Sequence, residues 1–187
     1  MDKRSFLACG VLAAFATACS TTSTSSADPA AKRSSIDASV DSAMSKLYTQ
    51  VQGSRELVGK ARGVLVFPSV VSAGLGVGGS YGQGALRVGG RSVGYYSTTA
   101  ASVGLLAGAD SKAVYLLFMT QDALDKFRAS NGWTAGADAS VTMLKVGASA
   151  AIDTQTAQQP IVGFALSNAG LMANLSLDGT KISKLDL

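Results

Sequence analysis

The sequence predicts an α+β chain dominated by strand: an antiparallel β-barrel-like or strongly curved sheet, with N-terminal helices packed on it and one short helix inserted near 121–130. Three observations predict it. Glycines stand at 74, 76, 78, 82 and 84, alternate positions of one run, so one face of a ribbon carries almost no side chains. Short apolar and β-branched runs recur between turn signals through most of the chain. A three- and four-residue apolar period is confined to residues 36–51 and two shorter segments.

Residues 1–18 read as a secretory signal peptide. Lys3 and Arg4 precede an apolar run from Phe6 to Ala16, and small residues lead to Cys19. The run is shorter than the ~20 apolar residues that span a bilayer. Ala16-Thr17-Ala18-Cys19 has the form of a lipobox, which makes Cys19 the expected lipid-attachment residue; Cys9 sits too early for a full apolar region. Cleavage before Cys19 leaves one cysteine in an oxidising compartment, and acylation accounts for a lone exported thiol. Acyl chains contributing about 0.8 kcal/mol per buried CH₂ make a lasting anchor. Residues 19–35, rich in Ser and Thr, read as a flexible tether.

Ile36, Val40, Met44, Leu47 and Val51 then form one helical face, with Ser34 and Asp37 as a capping pair. Its polar side carries Asp37, Asp41 and Lys46, so core packing fits it better than a membrane surface. Gly53 breaks this helix, and Ser54 caps a second one with Leu57 and Val58 inward, stopped by Gly63.

Val64–Phe67 reads as a buried strand closed by Pro68. The glycine ribbon that follows is entropically costly, so another element or a guest is expected to press on its backbone. Gly89-Gly90 is a two-residue hairpin turn. Residues 101–107 and 113–119 read as strands about a turn at Gly108–Ser111, and Thr120 caps the inserted helix, with Leu124 and Phe127 inward and Asn131-Gly132 ending it. Strands are expected at 140–152, 161–166, 171–177 and 181–185, with hairpins at 168–170 and Asp178-Gly179. Residues 36–187 are thus expected to form a single domain.

The chemistry is bounded by what is missing. Gly74-x-Gly76-x-x-Gly79 fits a dinucleotide fingerprint, but strand signals follow it and no acidic residue occurs between Glu56 and Asp110. Gly78-x-Ser80-x-Gly82 fits a nucleophile elbow, yet the chain has no histidine to take the serine proton. Carboxylates stand singly at turns and helix starts, Asp138 being the least ordinary. No enzyme, cofactor or metal is expected. The formal charge of +4 loses Lys3, Arg4 and Asp2 with the leader and falls to +3, without the basic, aromatic-interleaved pattern of a nucleic-acid binder.

Several separated words carry a family likeness: Lys60-Ala-Arg-Gly-Val-Leu-Val-Phe-Pro68, Ala73-Gly-Leu-Gly-Val-Gly-Gly79, Gly82-x-Gly84-x-Leu86, Ser102-Val-Gly104, Phe118-Met-Thr120, Gly136-Ala-Asp-Ala-Ser140 and Leu144-Lys-Val-Gly147. Over about residues 36–187 the chain resembles the SYLF, or Ysc84-type, lipid-binding domains, and looks closest to their bacterial lipoprotein branch. The resemblance implies phospholipid binding, with phosphoinositides for eukaryotic members and actin for some of those; actin is absent from bacterial envelopes and is not carried over. Ser20 after the cysteine favours the outer membrane, with the domain facing the periplasm and surface exposure left open. Lys60 and Arg62 flank the densest likeness, and Arg87 and Arg91 bracket the Gly-Gly tip; these four are the candidate headgroup cations. Arg91 should pair with Val88, which puts Arg87 on the opposite face. Tyr81, Tyr95 and Tyr96 are the candidate acyl-chain contacts. A phospholipid membrane is the expected partner of a monomer, with anionic or phosphoinositide-type headgroups and no nucleic acid. The alternative is a structural or stress-related envelope protein acting through protein contacts.

Overall fold

The computed structural model describes residues 28–144, 158–167, 170–172 and 176–187. Cys19 and the leader lie outside the described residues. Helix α1 spans Pro29–Gln50. It starts earlier than the apolar period suggests, because Asp28 caps it by accepting from the Ala30 N–H and Pro29 occupies the first turn, where a missing N–H costs nothing. The stretch read as tether is therefore helical from Pro29, and Ser34 and Asp37 lie within the helix. Helix α2 (Ser54–Lys60) follows a left-handed turn at Gly53, with Leu57 buried. Ser54 does not cap it; its hydroxyl, fully buried, donates to the Leu47 carbonyl and ties the two helices together.

Strands β1 (Gly63–Val88) and β2 (Arg91–Phe118) form one long antiparallel hairpin. Gly89 and Gly90 turn it, both with positive φ, and Val88 pairs with Arg91 as expected. Two expected breaks are absent. Pro68 does not end a strand but sits in a register shift between Phe67 and Val70, where its missing N–H is tolerated. Gly108–Ser111 is not a turn: it pairs with Val71–Gly74, and a partner strand overrides its turn-like composition.

The alternate glycines explain how so long a hairpin becomes compact. A Cβ on Gly74 would lie 2.4 Å from the Gly78 Cα, so β1 kinks sharply there. Between Leu75 and Val77 the facing residues run from Ala107 to Val103, the surplus that an outer strand needs to go round a corner. Beyond the corner β1 doubles back: a Cβ on Gly82 would meet the Ser69 carbonyl at 2.8 Å.

The free edge of β2 takes β7 (Lys181–Leu185) beside residues 95–99 and β5 (Ile161–Ser167) beside residues 113–118. Two-residue strands β3 (Trp133–Thr134), β4 (Thr142–Met143) and β6 (Gly170–Leu171) extend the sheet. All pairings between these strands are antiparallel except β4 with β5. The seven described strands make an open, strongly curled half-barrel rather than a closed barrel. Most of the strand read at 140–152 and parts of those read at 168–177 lie outside the described residues. Helix α3 (Gln121–Ala129) is capped by Thr120, whose hydroxyl accepts from the Ala123 N–H; it ends at Ser130, just before Asn131.

Two apolar layers sandwich the sheet. Val64 and Val66 of β1, with Tyr115, Leu117, Val162 and Phe164, face Ile36, Val40 and Leu47 of α1. The alternate residues Leu65, Phe67, Val114, Leu116, Phe118 and Ile161 face the hollow of the half-barrel, with Leu124 and Phe127 of α3 and Trp133. Burial on both faces is why these strands read as unbroken apolar runs.

Candidate functional site

The hollow of the half-barrel contains a cavity of about 370 Å³. Its walls are apolar: Phe67, Val70, Val114, Leu116, Leu177 and Ile182 line it, with Met172. Ser72, Ser80, Thr98, Asp110, Lys112, Ser176, Asp178 and Thr180 add polar groups. Strand alternation explains the mixture. Asp110 and Lys112 continue the inward file of Val114 and Leu116, so one row of β2 passes from apolar wall to charged mouth. None of the ion pairs among the described residues involves Lys112, which is half-buried. Asp178, on the turn before β7, accepts from the Ser176 hydroxyl at 2.8 Å. A chamber of this size, near the lower end of the ~300–1,000 Å³ range of ligand pockets, suits one flexible apolar chain with a polar end.

The sequence-derived cations lie elsewhere. A groove of about 500 Å³ between α1, α2 and the hairpin tip is lined by Arg62 and Arg87, with Asp41, Met44 and Tyr48. Arg62 is exposed. Arg87 is held by α1: its Nη1 lies 2.8 Å from an Asp41 carboxylate oxygen, and its Nη2 donates to the Asp37 carbonyl at 3.3 Å. Lys60 does not line this groove; it pairs with Glu56 at 2.7 Å, and that hydrogen bond lowers the Glu56 pKa. Arg91 is exposed at the tip. Of the four, then, Arg62 and Arg87 meet at one groove.

The three tyrosines do not form one surface. Tyr95 and Tyr96 are adjacent in β2 and must point oppositely. The Tyr95 hydroxyl donates to Asp37 at 2.9 Å on the α1 side, where burial and then the Asp37 carboxylate raise its pKa. Tyr96 is buried in the hollow against Phe127, ring centroids 5.0 Å apart. Tyr81 is exposed on the outer side of the bend, its hydroxyl accepting from Gln83 at 2.5 Å. Sequence reasoning leaves Lys112 as a surface or secondary cation and Asp110 as a turn residue, and misses their place at the mouth because Gly108–Ser111 looks like a turn. Had the run from Ala109 to Phe118 been read as strand, their phase with Val114 and Leu116 would have found them.

Asp138, the acid singled out within the family-like words, has a local role: its carboxylate accepts from the Thr134 N–H at 2.6 Å. Among the described residues no cluster of acidic, cysteine or histidine side chains could hold a metal, and no helix is long and apolar enough to cross a membrane.

Residues 99–186 match the Ysc84 family model, described as Las17-binding protein actin regulator. The match takes in most of β2 and everything from α3 to β7; α1, α2 and β1 with its glycines stand outside it. No curated protein matches the chain.

Proposed function

We propose that this chain is a non-enzymatic phospholipid-binding domain that takes an acyl chain into the hollow of its half-barrel. The carrying observation is the cavity itself, with apolar walls set against a mouth that bears Lys112. The Ysc84 match of residues 99–186, together with the lipid binding that the SYLF resemblance implies, supports the same reading. Each methylene buried contributes about 0.8 kcal/mol, so affinity rises roughly fourfold per added CH₂ until the chamber is full. Lys112 meets the headgroup phosphate through a charge-assisted contact that orients the lipid. Arg62, in the groove it shares with Arg87, offers a second phosphate contact; Lys60 and Arg91 add to the positive field around anionic headgroups. Tyr81 is the one proposed acyl contact that remains on the surface.

The same proposal places the domain in a bacterial envelope: cut before Cys19, acylated there, held at the outer membrane and facing the periplasm as a monomer. The tether then extends from Cys19 only to Asp28, because α1 begins at Pro29.

The test uses the chain from residue 19 carrying Cys19→Ser, titrated with monomeric short-chain phosphatidylglycerols of increasing acyl length. Saturable one-to-one binding is expected, tightening with length. Ala100→Phe, which fills the cavity from its wall, should weaken it at least tenfold, and Lys112→Ala severalfold. Absence of saturable binding, or equal affinity in Ala100→Phe, overturns the reading.

A further inference from the structure

Every large apolar side chain that is exposed among the described residues lies on the β1–β2 hairpin, and four of the five cluster about its bend. Leu75 is 84% exposed and Val77 69%, with Val71 and Tyr81 each at 50%. The bend is also free of charge. No charged residue occurs from Gly63 to Leu86 or from Ser92 to Ala109; charge returns only at Asp110 and Lys112, where β2 leaves the corner. Ordinary surface loops are polar, and a cluster of exposed apolar groups with no charge among them marks an interaction site.

We propose that this bend is a wedge that enters the interfacial layer of a phospholipid bilayer. Three features select a bilayer as the occupant. Leu75 and Val77 sit on the kink that Gly74 makes against Gly78, so the most exposed apolar pair is carried by the corner itself. Tyr81 stands behind Leu75 and Val77, an arrangement that suits a membrane interface, where an aromatic body meets lipid and its hydroxyl meets water. The wedge is also continuous with the cavity: Ser72 and Ser80, which flank the corner on β1, and Ala100 and Ala101 opposite on β2 all line it. Seating the corner in the membrane brings the cavity mouth to the bilayer and gives an acyl chain a path that avoids water.

Depth follows from the backbone. On either side of the corner the two strands stay in register, as at Ala73 with Ala109 and Val77 with Val103, but at its apex Gly76 and residues 104–106 have no register partner. The outer edge of β1 carries groups without such partners, so the corner stays in the hydrated interface and does not cross the hydrocarbon.

This inference rests on the phospholipid reading above, and its test separates the two. The chain from residue 19 with Cys19→Ser receives a single cysteine at Leu75 for an environment-sensitive fluorophore, with Ala129→Cys on α3 as the control site. Vesicles of phosphatidylcholine and phosphatidylglycerol should shift the fluorophore at 75 to the blue. Quenchers attached near the headgroup should act on it more strongly than quenchers deep in the chains. The fluorophore at 129 should not respond. Leu75→Asp with Val77→Asp should cut vesicle partitioning at least tenfold and leave monomeric short-chain lipid binding unchanged. A water-like probe at 75 on vesicle-bound protein overturns the wedge, as does undiminished partitioning of the double variant. A shift at 75 that needs no vesicles and grows with protein concentration overturns it in favour of self-association. Loss of short-chain binding in the unmodified chain defeats instead the cavity reading on which it rests.

Discussion

Gly84 and Val66 belong to the same strand, yet a Cβ added to Gly84 would stand 1.9 Å from the Val66 carbonyl oxygen. Two backbones touch there, and the curl of the half-barrel depends on their contact. Because the obstruction is backbone, no rotamer change relieves it. Gly84→Ala should therefore cost about 3 kcal/mol or more, beyond ordinary overpacking. Gly59→Ala is the control: nothing lies within 4 Å of the added methyl in α2, and the change should be neutral or stabilise by up to about 1 kcal/mol. Urea denaturation of both variants measures the contrast.

The curvature was legible because glycine on alternate positions of a strand can only mean close approach, and Gly82 and Gly84 meet the backbone of their own strand. Helix faces and hairpin tip were legible for a similar reason: periodicity at 36–51 and Gly89-Gly90 are local signals with one local solution. What was not legible depends on distant partners. Gly108–Ser111 looks like a turn until Val71–Gly74 is known to lie beside it. Arg87 looks like a free cation until α1 brings Asp37 and Asp41 to it. The split of Tyr95 from Tyr96, by contrast, could have been read from strand alternation alone.

Asp37 joins α1 to the hairpin by accepting from Ser92 Oγ at 2.6 Å and from the Tyr95 hydroxyl at 2.9 Å. Hydrogen bonds to a charged acceptor contribute about 1.5–3 kcal/mol. Tyr95→Phe should thus cost about 1–2 kcal/mol, allowing for the half-exposed setting. With Ser92→Ala the two losses should be non-additive, because both donors serve one carboxylate. A double-mutant cycle in urea tests this; strictly additive losses would show that Asp37 is not their shared partner.

Tyr115 ties the sheet to α1 by donating to the Ala43 carbonyl at 2.8 Å, and burial pushes its pKa up to about 12. The folded value lies above the ~10 of an unfolded tyrosine. Its contribution is therefore complete below pH ~10 and is lost as pH rises through about 12, some 2–3 kcal/mol in all. Tyr115→Phe should lower stability at pH 8 by about 1 kcal/mol and flatten the decline above pH ~10. Comparing the two proteins across that range cancels the contributions of the groups they share. Tyr95 and Tyr96, also shifted upward, contribute to the slope that remains in Tyr115→Phe.

Trp133, the chain's single tryptophan, is buried with its ring edge-on to Phe127 at 5.7 Å and 77°. Phe127 also meets Phe118 at 4.9 Å, so it joins α3 to the hollow face of the sheet. Phe127→Ala should cost about 3–5 kcal/mol and shift the tryptophan emission to the red, while Phe127→Leu should keep most of both. The same indole reports on the cavity. Trp133 pairs with Ile182, and both Ile182 and Ala135, two residues along, line the chamber. Lipid entering the hollow should change Trp133 intensity in the native protein, and Ala100→Phe should abolish that response without moving the emission maximum of the free protein. A native emission already characteristic of water, or an intensity change that survives in Ala100→Phe, would place the bound chain outside the half-barrel.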